Sequence, residues 1–209
     1  MQGYLTIENI AFGEYEEKRS KFIATIRPVE SEEEALSFIK DIKSKYWDAR
    51  HNVFAYRLSN GDARFSDDGE PHSTAGKPVL DIISGRNLVN VCVVVTRYFG
   101  GILLGTGGLV RAYSESAKNA IDNARIIEMG LLGLFSIRCD YQQYNILLPF
   151  IENFGGNITD TDFGADITVK FSLQDDKKAS FNTSLTDRFF GRLTLCEEGK
   201  IFAKIKNLN

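Results

Sequence analysis

Cysteine, histidine and long apolar runs are all scarce in this chain of 209 residues. The three cysteines, Cys92, Cys139 and Cys196, lie far apart in apolar segments, so the sequence indicates neither a disulfide framework nor a zinc site. His51 and His72 are the only histidines, and no nucleophile-elbow motif accompanies them. No apolar run approaches the length of a membrane span, and the first residues lack the pattern of a signal peptide. We therefore expect a cytoplasmic protein that does not contact membranes.

Neither acidic nor basic residues dominate the composition. The chain has 25 basic and 28 acidic residues, which leave a formal net charge of -3 at pH 7. Such a protein has no overall basic field that would hold nucleic acid non-specifically, so basic groups that contact nucleic acid have to cluster locally. Nothing in the sequence indicates specificity for DNA.

Glycine, by contrast, is concentrated in one loop between a predicted strand and a predicted helix. The run 91–96 is rich in β-branched residues without polar alternation, which predicts a strand buried on both faces. In the following segment an apolar stripe recurs at steps of three or four, as is typical of a helix packed on a sheet: Leu109, Tyr113, Ala117, Ala120 and Ala124. The loop between them, which we call the glycine loop, carries Gly100, Gly101, Gly105, Gly107 and Gly108.

The glycine loop has the features of an anion site. Thr106 is the predicted N-cap of the helix, and Gly107 and Gly108 would leave the first-turn N–H groups unshielded. The loop matches neither a Walker phosphate loop, which requires Lys-Ser/Thr at its end, nor a dinucleotide fingerprint, whose last position is Val110 here. The alternative is that these glycines only permit a tight strand-to-helix turn with close packing.

A second concentration of polar groups, the acidic loop, precedes this strand. Three carboxylates, Asp67, Asp68 and Glu70, and a histidine lie within six residues and could hold a hard cation or act as general acid and base. Structural roles are favoured, because Asp-Gly and Glu-Pro form turns and a hydroxyl of Ser73 or Thr74 can cap the next helix. We predict no metal and no cofactor, and expect the carboxylates to hold the turn and neighbouring basic groups, Arg97 or Arg111.

After residue 130 the alternation of elements starts again. The pattern predicts a strand at 132–139, a helix at 141–153, two strands around a turn near 162–164, a helix at 178–190 and a last strand from 193. A βαββαβ order is the ferredoxin-like pattern. We therefore predict two domains, 1–130 and 131–209, of which the second is ferredoxin-like. This fold hosts unrelated roles, so it leaves function open.

Three motifs, in this order and spacing, resemble the signature of the IMPACT/YigZ family: Asp67-Asp-Gly-Glu-Pro71, Thr74-Ala-Gly76 and Arg97-Tyr-Phe-Gly-Gly-Ile-Leu-Leu-Gly105. The resemblance marks a family-motif loop of undefined role that consists of Asp67, Asp68, Gly69, Glu70, Pro71, Thr74 and Gly76. One departure is His72-Ser73, where many members carry small residues ending in glycine.

The resemblance implies an α+β fold. The first domain would be ribosomal-protein-like, with βαβ units, a four-stranded sheet and two helices on one face. The second would resemble the fifth domain of elongation factor G. Both comparisons point to RNA or the translation machinery. Eukaryotic members of the family that resemble this chain act as translational regulators, competing for the activator of the kinase that senses amino-acid starvation.

We expect a regulatory protein in translation or stress control, associated with RNA, the ribosome or a translation-associated protein, rather than an enzyme. An arginine pair beside aromatic and backbone N–H groups suits phosphates and stacked bases. The predicted contact surface is Arg97, Tyr98, Gly100, Gly101, Gly105, Thr106, Gly107, Gly108 and Arg111. Two alternatives stay open: an enzyme acting on a small phosphorylated or peptide substrate in the cleft between the acidic loop and the glycine loop, and a pure protein-binding module.

Overall fold

A computed structural model describes residues 3–207, which divide into two compact units, Tyr4–Glu128 and Met129–Ile205. We call them the N-terminal unit and the C-terminal unit. Each unit has its own hydrophobic core. The division falls within strand β7 (Ile126–Cys139), which also pairs with β1 (Tyr4–Ile7).

The main sheet of the N-terminal unit has five antiparallel strands: β2 (Ala11–Glu17), β3 (Ser20–Pro28), β4 (His51–Arg57), β5 (Ala63–Ser66) and β6 (Val91–Tyr98). Their order across the sheet is β2-β3-β6-β4-β5. The helices of this unit are α1 (Glu32–Lys45), α2 (Gly76–Gly85) and α3 (Gly105–Asp122). Helix α1 begins after Ser31, whose side chain accepts a hydrogen bond from the backbone N–H of Glu34 and so caps the helix.

Strand β6 is the centre of this sheet and is buried on both faces, which confirms the prediction from its β-branched run. Val91, Val93 and Val95 belong to the core that α2 and α3 cover. Cys92 and Val94 belong to the smaller core that α1 covers on the opposite face. Alternate residues of a strand point to opposite faces, so two layers of helix account for seven buried positions in this strand of eight residues.

Helix α3 lies on the sheet by the predicted stripe, whose five residues are each at most 6% exposed. Its approach to β2 is unusually close. A Cβ atom at Gly13 would lie 2.2 Å from the backbone nitrogen of Ala120, so only glycine fits at that crossing.

The C-terminal unit consists of β7, α4 (Tyr141–Asn153), β8 (Asn157–Phe163), β9 (Ile167–Gln174), α5 (Lys178–Phe189) and β10 (Leu195–Asn207). The predicted elements are present in the predicted order. Helix α4 begins with a capping box, in which Asp140 and Gln143 each accept a hydrogen bond from the other's backbone N–H. Strand β7 lies between β9 and β10, and β8 pairs with β9. This is the ferredoxin-like order.

The chain is therefore an α+β protein, as predicted. Helices α2 and α3 are the expected pair on one face of the N-terminal sheet. The structure adds a fifth strand, the short β5, to the four that the resemblance implies, and places α1 on the other face. None of the helices within residues 3–207 is both long enough and apolar enough to span a bilayer.

Candidate functional site

Three side chains form a row on the neighbouring strands β3, β6 and β4, at one end of the N-terminal sheet. Arg97 continues the alternation of Val91, Val93 and Val95 on β6, so it lies on the face that α3 covers. The strand register pairs it with Phe22 of β3 on one side and with His51 of β4 on the other. Its guanidinium carbon lies 5.5 Å from the ring centroid of Phe22 and 5.7 Å from that of Phe99, so two aromatic rings contact the cation.

Arg97 forms a buried ion pair with Glu70. Its Nη1 atom lies 2.5 Å from Oε1 of Glu70, and the two side chains are 6% and 4% exposed. The hydroxyl of Tyr113 on α3 donates a hydrogen bond of 2.8 Å to the same oxygen. Nε2 of His51 lies 3.8 Å from it. Sheet, acidic loop and α3 are therefore joined through one carboxylate.

Burial raises the pKa of Tyr113 far above its ordinary value, and the charge of Glu70 and the hydrogen bond to it raise this pKa further. The folded state therefore keeps the phenolic proton at a pH at which the unfolded chain loses it, so stability falls as the pH rises above about 10. We expect Tyr113→Phe to reduce this alkaline loss of stability, by up to about 1.4 kcal/mol per pH unit. Urea denaturation between about pH 8 and 11.5 measures it. An unchanged slope in Tyr113→Phe would contradict the assignment.

In the acidic loop, Asp67 caps helix α2. One carboxylate oxygen accepts hydrogen bonds from the backbone N–H groups of Ala75 (3.1 Å) and Gly76 (2.8 Å), and the other accepts from that of Ser73 (2.8 Å). The prediction that Ser73 or Thr74 provides the cap is wrong, because the N-cap position is Ala75 and the hydroxyl of Thr74 donates to the carbonyl of Pro71 instead. The side chain that caps α2 is therefore that of Asp67, at the start of the acidic loop.

The other residues of the family-motif loop also contact protein groups. Asp68 forms an ion pair with Lys43 (2.7 Å) and accepts a hydrogen bond from the backbone N–H of Asn52. Gly69 has φ +88°, a conformation that favours glycine, and a Cβ at Gly76 would lie 2.7 Å from the carbonyl oxygen of Ser66. Residues 3–207 contain no group of three or more histidine, cysteine or carboxylate side chains that could hold a metal ion. The Asp67 and Asp68 carboxylates of the acidic loop thus contact backbone and basic groups of the protein itself.

Arg97 and His51 of this row form part of the wall of a cavity of about 590 Å³, which we call the α3 cavity. The cavity lies between the start of β4, the acidic loop and the start of α3. Its lining residues are Arg50, His51, Glu70, Pro71, Arg97, Phe99, Leu103, Leu104, Gly105, Thr106 and Leu109. This volume is within the range of about 300–1,000 Å³ that small-molecule sites occupy. The wall is mainly apolar, with polar groups concentrated along one side.

The polar groups that line the α3 cavity include the paired Glu70 and Arg97 and, beside them, donors for which the described residues supply no partner. Helix α3 begins at Gly105 with Leu104 as its N-cap, and no side chain caps it. The prediction that Thr106 is the N-cap is therefore wrong, because the chain turns at Gly105, with φ +72°, and Thr106 already lies in the helix. Nε of Arg97 is buried without a hydrogen-bond partner. Arg50 is exposed and forms no ion pair within the described residues. These groups favour an anion.

The predicted contact surface is only partly brought together. Arg97, Gly105 and Thr106 line the α3 cavity, whereas Tyr98, Gly100, Gly101, Gly107, Gly108 and Arg111 do not. Arg111 is exposed on another side of α3, near Tyr15. Gly101 has φ +85°, and a Cβ at Gly108 would lie 3.0 Å from that of Leu104.

Tyr98 connects the glycine loop to the turn before β4. Its hydroxyl donates a hydrogen bond of 2.9 Å to Asp48. The same turn carries Trp47, the single tryptophan of the chain, which is 82% exposed. The backbone N–H of Arg50, three residues later, donates to the carbonyl of Arg97. The turn is thus anchored at the edge of the α3 cavity.

Two known protein families match this chain, one in each unit. The Impact N-terminal domain family matches residues 18–121, and a family described as a domain of unknown function matches residues 137–192. An IMPACT family member of Haemophilus influenzae is 36% identical over 202 residues, which are 93% of this chain and 97% of that protein. The chain belongs to the IMPACT family. Another member of the IMPACT family, YigZ of Escherichia coli, is 34% identical over 85% of this chain and 89% of its own length.

A solved structure supports the same fold for this IMPACT family member. The crystal structure of a hypothetical protein is 32% identical, aligns with a TM-score of 0.61, and covers 93% of this chain and 97% of its own. The family resemblance and the fold class predicted from the sequence are both confirmed.

Several cavity residues of this IMPACT family member were not predicted as site residues. Phe99 and Leu103 stand inside the glycine loop, so the apolar character of that loop was the available signal. Arg50 and His51 are far from the loop in the sequence and reach it only because β4 pairs with β6. Their contribution depends on strand register, which the local sequence does not reveal.

Two glycines of the loop should respond in opposite ways to alanine. A Cβ at Gly100 would lie 2.1 Å from the carbonyl carbon of Arg19, so we expect Gly100→Ala to destabilise the protein by about 1–3 kcal/mol. A Cβ at Gly107 meets no heavy atom of the described residues within 4 Å, so Gly107→Ala should add about 0.4–1 kcal/mol. Urea denaturation of both variants tests this. Equal effects would show that close packing does not explain Gly100.

Proposed function

We propose that this protein is a non-enzymatic regulator in translation or stress control, which acts in the cytoplasm and binds single-stranded RNA of the ribosome or the translation machinery at the α3 cavity. The observation that carries the proposal is the composition of the cavity wall. An apolar surface adjoins the uncapped start of α3 and the side chain of Arg50, and a nucleotide has the matching parts, a base and a phosphate.

The donors fit one phosphate group. The first-turn N–H groups of α3 carry the positive end of the helix dipole, and a phosphate at such a position accepts several hydrogen bonds at once. Arg50 adds a full positive charge to the lining of the same cavity. Because Glu70 already neutralises Arg97, the net attraction comes from Arg50 and the helix. We therefore expect contacts with one or two phosphates only.

The apolar wall fits one unstacked base. Phe99 is half exposed, and with Leu103 and Leu109 it offers a surface on which an aromatic ring can stack or pack. Proteins read single-stranded RNA by drawing bases out onto such surfaces, whereas a paired base in a duplex is not available to a pocket. The cavity therefore supports single-stranded over double-stranded RNA as the ligand.

Arg50→Ala provides the direct test. Loss of one charge-assisted phosphate contact should weaken binding of a fluorescent hexauridylate by about 1–3 kcal/mol and lower the slope of log affinity against log salt by about one. The measurement is fluorescence anisotropy at two salt concentrations. Lys40→Ala is the matched control, because it removes a positive charge from α1 on the other face of the sheet.

Two results would count against this use of the cavity. Equal affinities of the folded wild-type and Arg50→Ala proteins would remove Arg50 from the contact surface. A loss in Arg111→Ala that exceeds the loss in Arg50→Ala would move the surface along α3, to the second arginine that the sequence predicts.

Association with ribosomes can be tested separately. The purified protein should sediment with ribosomes, and ribonuclease treatment should release it. Binding that survives ribonuclease would favour a protein partner of the translation machinery instead of RNA.

An enzyme is the second candidate, and one observation favours it. The α3 cavity lies between the acidic loop and the glycine loop, where a substrate cleft is expected, and His51 is in its wall. Incubation with hexauridylate and with nucleoside phosphates, followed by chromatography, separates the two functions. New products would favour the enzyme, and quantitative recovery of the ligand would favour the regulator.

A further inference from the structure

We propose that His51 makes the α3 cavity select ribose over deoxyribose, by accepting a hydrogen bond from the 2′-hydroxyl of a bound nucleotide. This inference rests on the proposed function, since it names the sugar that the same cavity would recognise. It is carried by the hydrogen bonding of the imidazole ring.

The contacts of His51 determine which ring nitrogen carries the proton. Nδ1 lies 2.7 Å from the backbone carbonyl oxygen of Asp68. A carbonyl oxygen can only accept a hydrogen bond, so Nδ1 is the donor. In the neutral ring Nε2 then has a lone pair and can only accept. Asp68 itself is held by Lys43 and Asn52, so its carbonyl group is a fixed anchor for the ring.

The protein supplies no donor to this lone pair among the contacts of the described residues. Oε1 of Glu70 lies 3.8 Å from Nε2, and this oxygen is itself an acceptor. It already receives hydrogen bonds from Arg97 and Tyr113. The His51 side chain is 15% exposed and lines the α3 cavity. A ligand that covers Nε2 displaces the water there. It must therefore offer a hydrogen-bond donor of its own, or the lone pair is left without a partner.

Ribose and deoxyribose backbones differ in this respect. Phosphate and ring oxygens only accept hydrogen bonds, so a DNA backbone has no donor. The 2′-hydroxyl is the one donor that an RNA backbone adds, and proteins distinguish RNA from DNA through it. When a phosphate is bound at the start of α3, the sugar attached to it enters the same cavity, whose lining includes His51. An acceptor in this wall is satisfied by RNA and left unsatisfied by DNA.

The experiment compares three hexanucleotides that share the uracil base: ribo-, deoxyribo- and 2′-fluoro-uridylate. The 2′-fluoro sugar keeps the electronegative substituent of RNA but lacks the hydroxyl proton. Anisotropy titrations of the full chain at pH 8 should give an affinity about tenfold higher for the ribo-oligonucleotide than for the other two, the size of effect for one buried acceptor left unsatisfied. His51→Ala should bind all three about equally. His51→Gln, whose side-chain oxygen can accept, should recover part of the preference.

The outcomes distinguish this inference from the function on which it rests. Equal wild-type affinities for the ribo- and deoxyribo-oligonucleotides would overturn the selection of ribose and leave RNA binding intact. A preference that persists unchanged in folded His51→Ala, or a 2′-fluoro-oligonucleotide that binds as tightly as the ribo-oligonucleotide, would also overturn it. Absence of binding to all three would overturn the inference and the RNA-binding function together. Because the 2′-fluoro comparison needs no variant, the test does not depend on the stability of His51→Ala.

Discussion

Replacing Glu70 with alanine is expected to lower the free energy of unfolding by about 3–5 kcal/mol. The substitution leaves Arg97 as a buried charge without a counter-ion and removes the acceptor of the Tyr113 hydroxyl. An unpaired buried charge costs far more than the net value of the pair, because the desolvation of Arg97 is no longer offset by the carboxylate. Urea denaturation followed by circular dichroism measures the change.

Two further variants make the Glu70 result specific. Asp81→Ala breaks the exposed ion pair with Lys77 on α2 and should change stability by less than about 1 kcal/mol. The double variant Glu70→Leu with Arg97→Met removes both charges and should be more stable than Glu70→Ala alone, since no buried charge is left unpaired. A Glu70→Ala protein that unfolds at the wild-type urea concentration would show that the ion pair is not buried in solution.

The second large effect is expected for Asp67→Ala, with a loss of about 2–4 kcal/mol. Its carboxylate accepts hydrogen bonds from three backbone N–H groups, two of which belong to the buried residues Ala75 and Gly76. A buried donor without a partner has lost its hydrogen bond to water and has no protein acceptor to replace it. Amide hydrogen exchange should show faster exchange at Ala75 and Gly76, and urea denaturation gives the energy.

Controls for Asp67 use the same residue type. Asp67→Asn keeps one acceptor oxygen and should lose less stability than the alanine variant. Asp62→Ala removes an exposed carboxylate that accepts a hydrogen bond from the side chain of Asn60 in the same turn, so it should change stability by less than about 0.5 kcal/mol. Equal losses in Asp62→Ala and Asp67→Ala would contradict the capping role.

Those parts of the fold that depend on local pattern were predictable from the sequence. The β-branched run of β6 and the stripe from Leu109 to Ala124 on α3 both reflect burial that repeats with the period of the element, so periodicity reveals it. The order of elements in the C-terminal unit follows for the same reason. An ion pair between the acidic loop and an arginine was predicted, but the hydrogen bond from Tyr113 to the same carboxylate was not.

The parts that were not predictable depend on contacts between distant segments. The cap of α2 comes from Asp67, six to nine residues before the N–H groups that it binds, while the usual cap positions were Ser73 and Thr74. The neighbourhood of His51 and Arg97 requires the register of β4 against β6. Helix propensity and turn chemistry carry no information about either, so the α3 cavity appears only when the sheet is assembled.

The position of Trp47 gives the molecule a built-in optical probe. Indole emission depends on the solvent around the ring, and this ring is almost fully in water, in the turn that precedes Arg50. Because the chain has no other tryptophan, any change in its emission reports on one place only. Occupancy at the edge of the α3 cavity can thus be followed in the unlabelled protein, and stopped-flow mixing can time the arrival of a ligand there without attaching a dye to either partner.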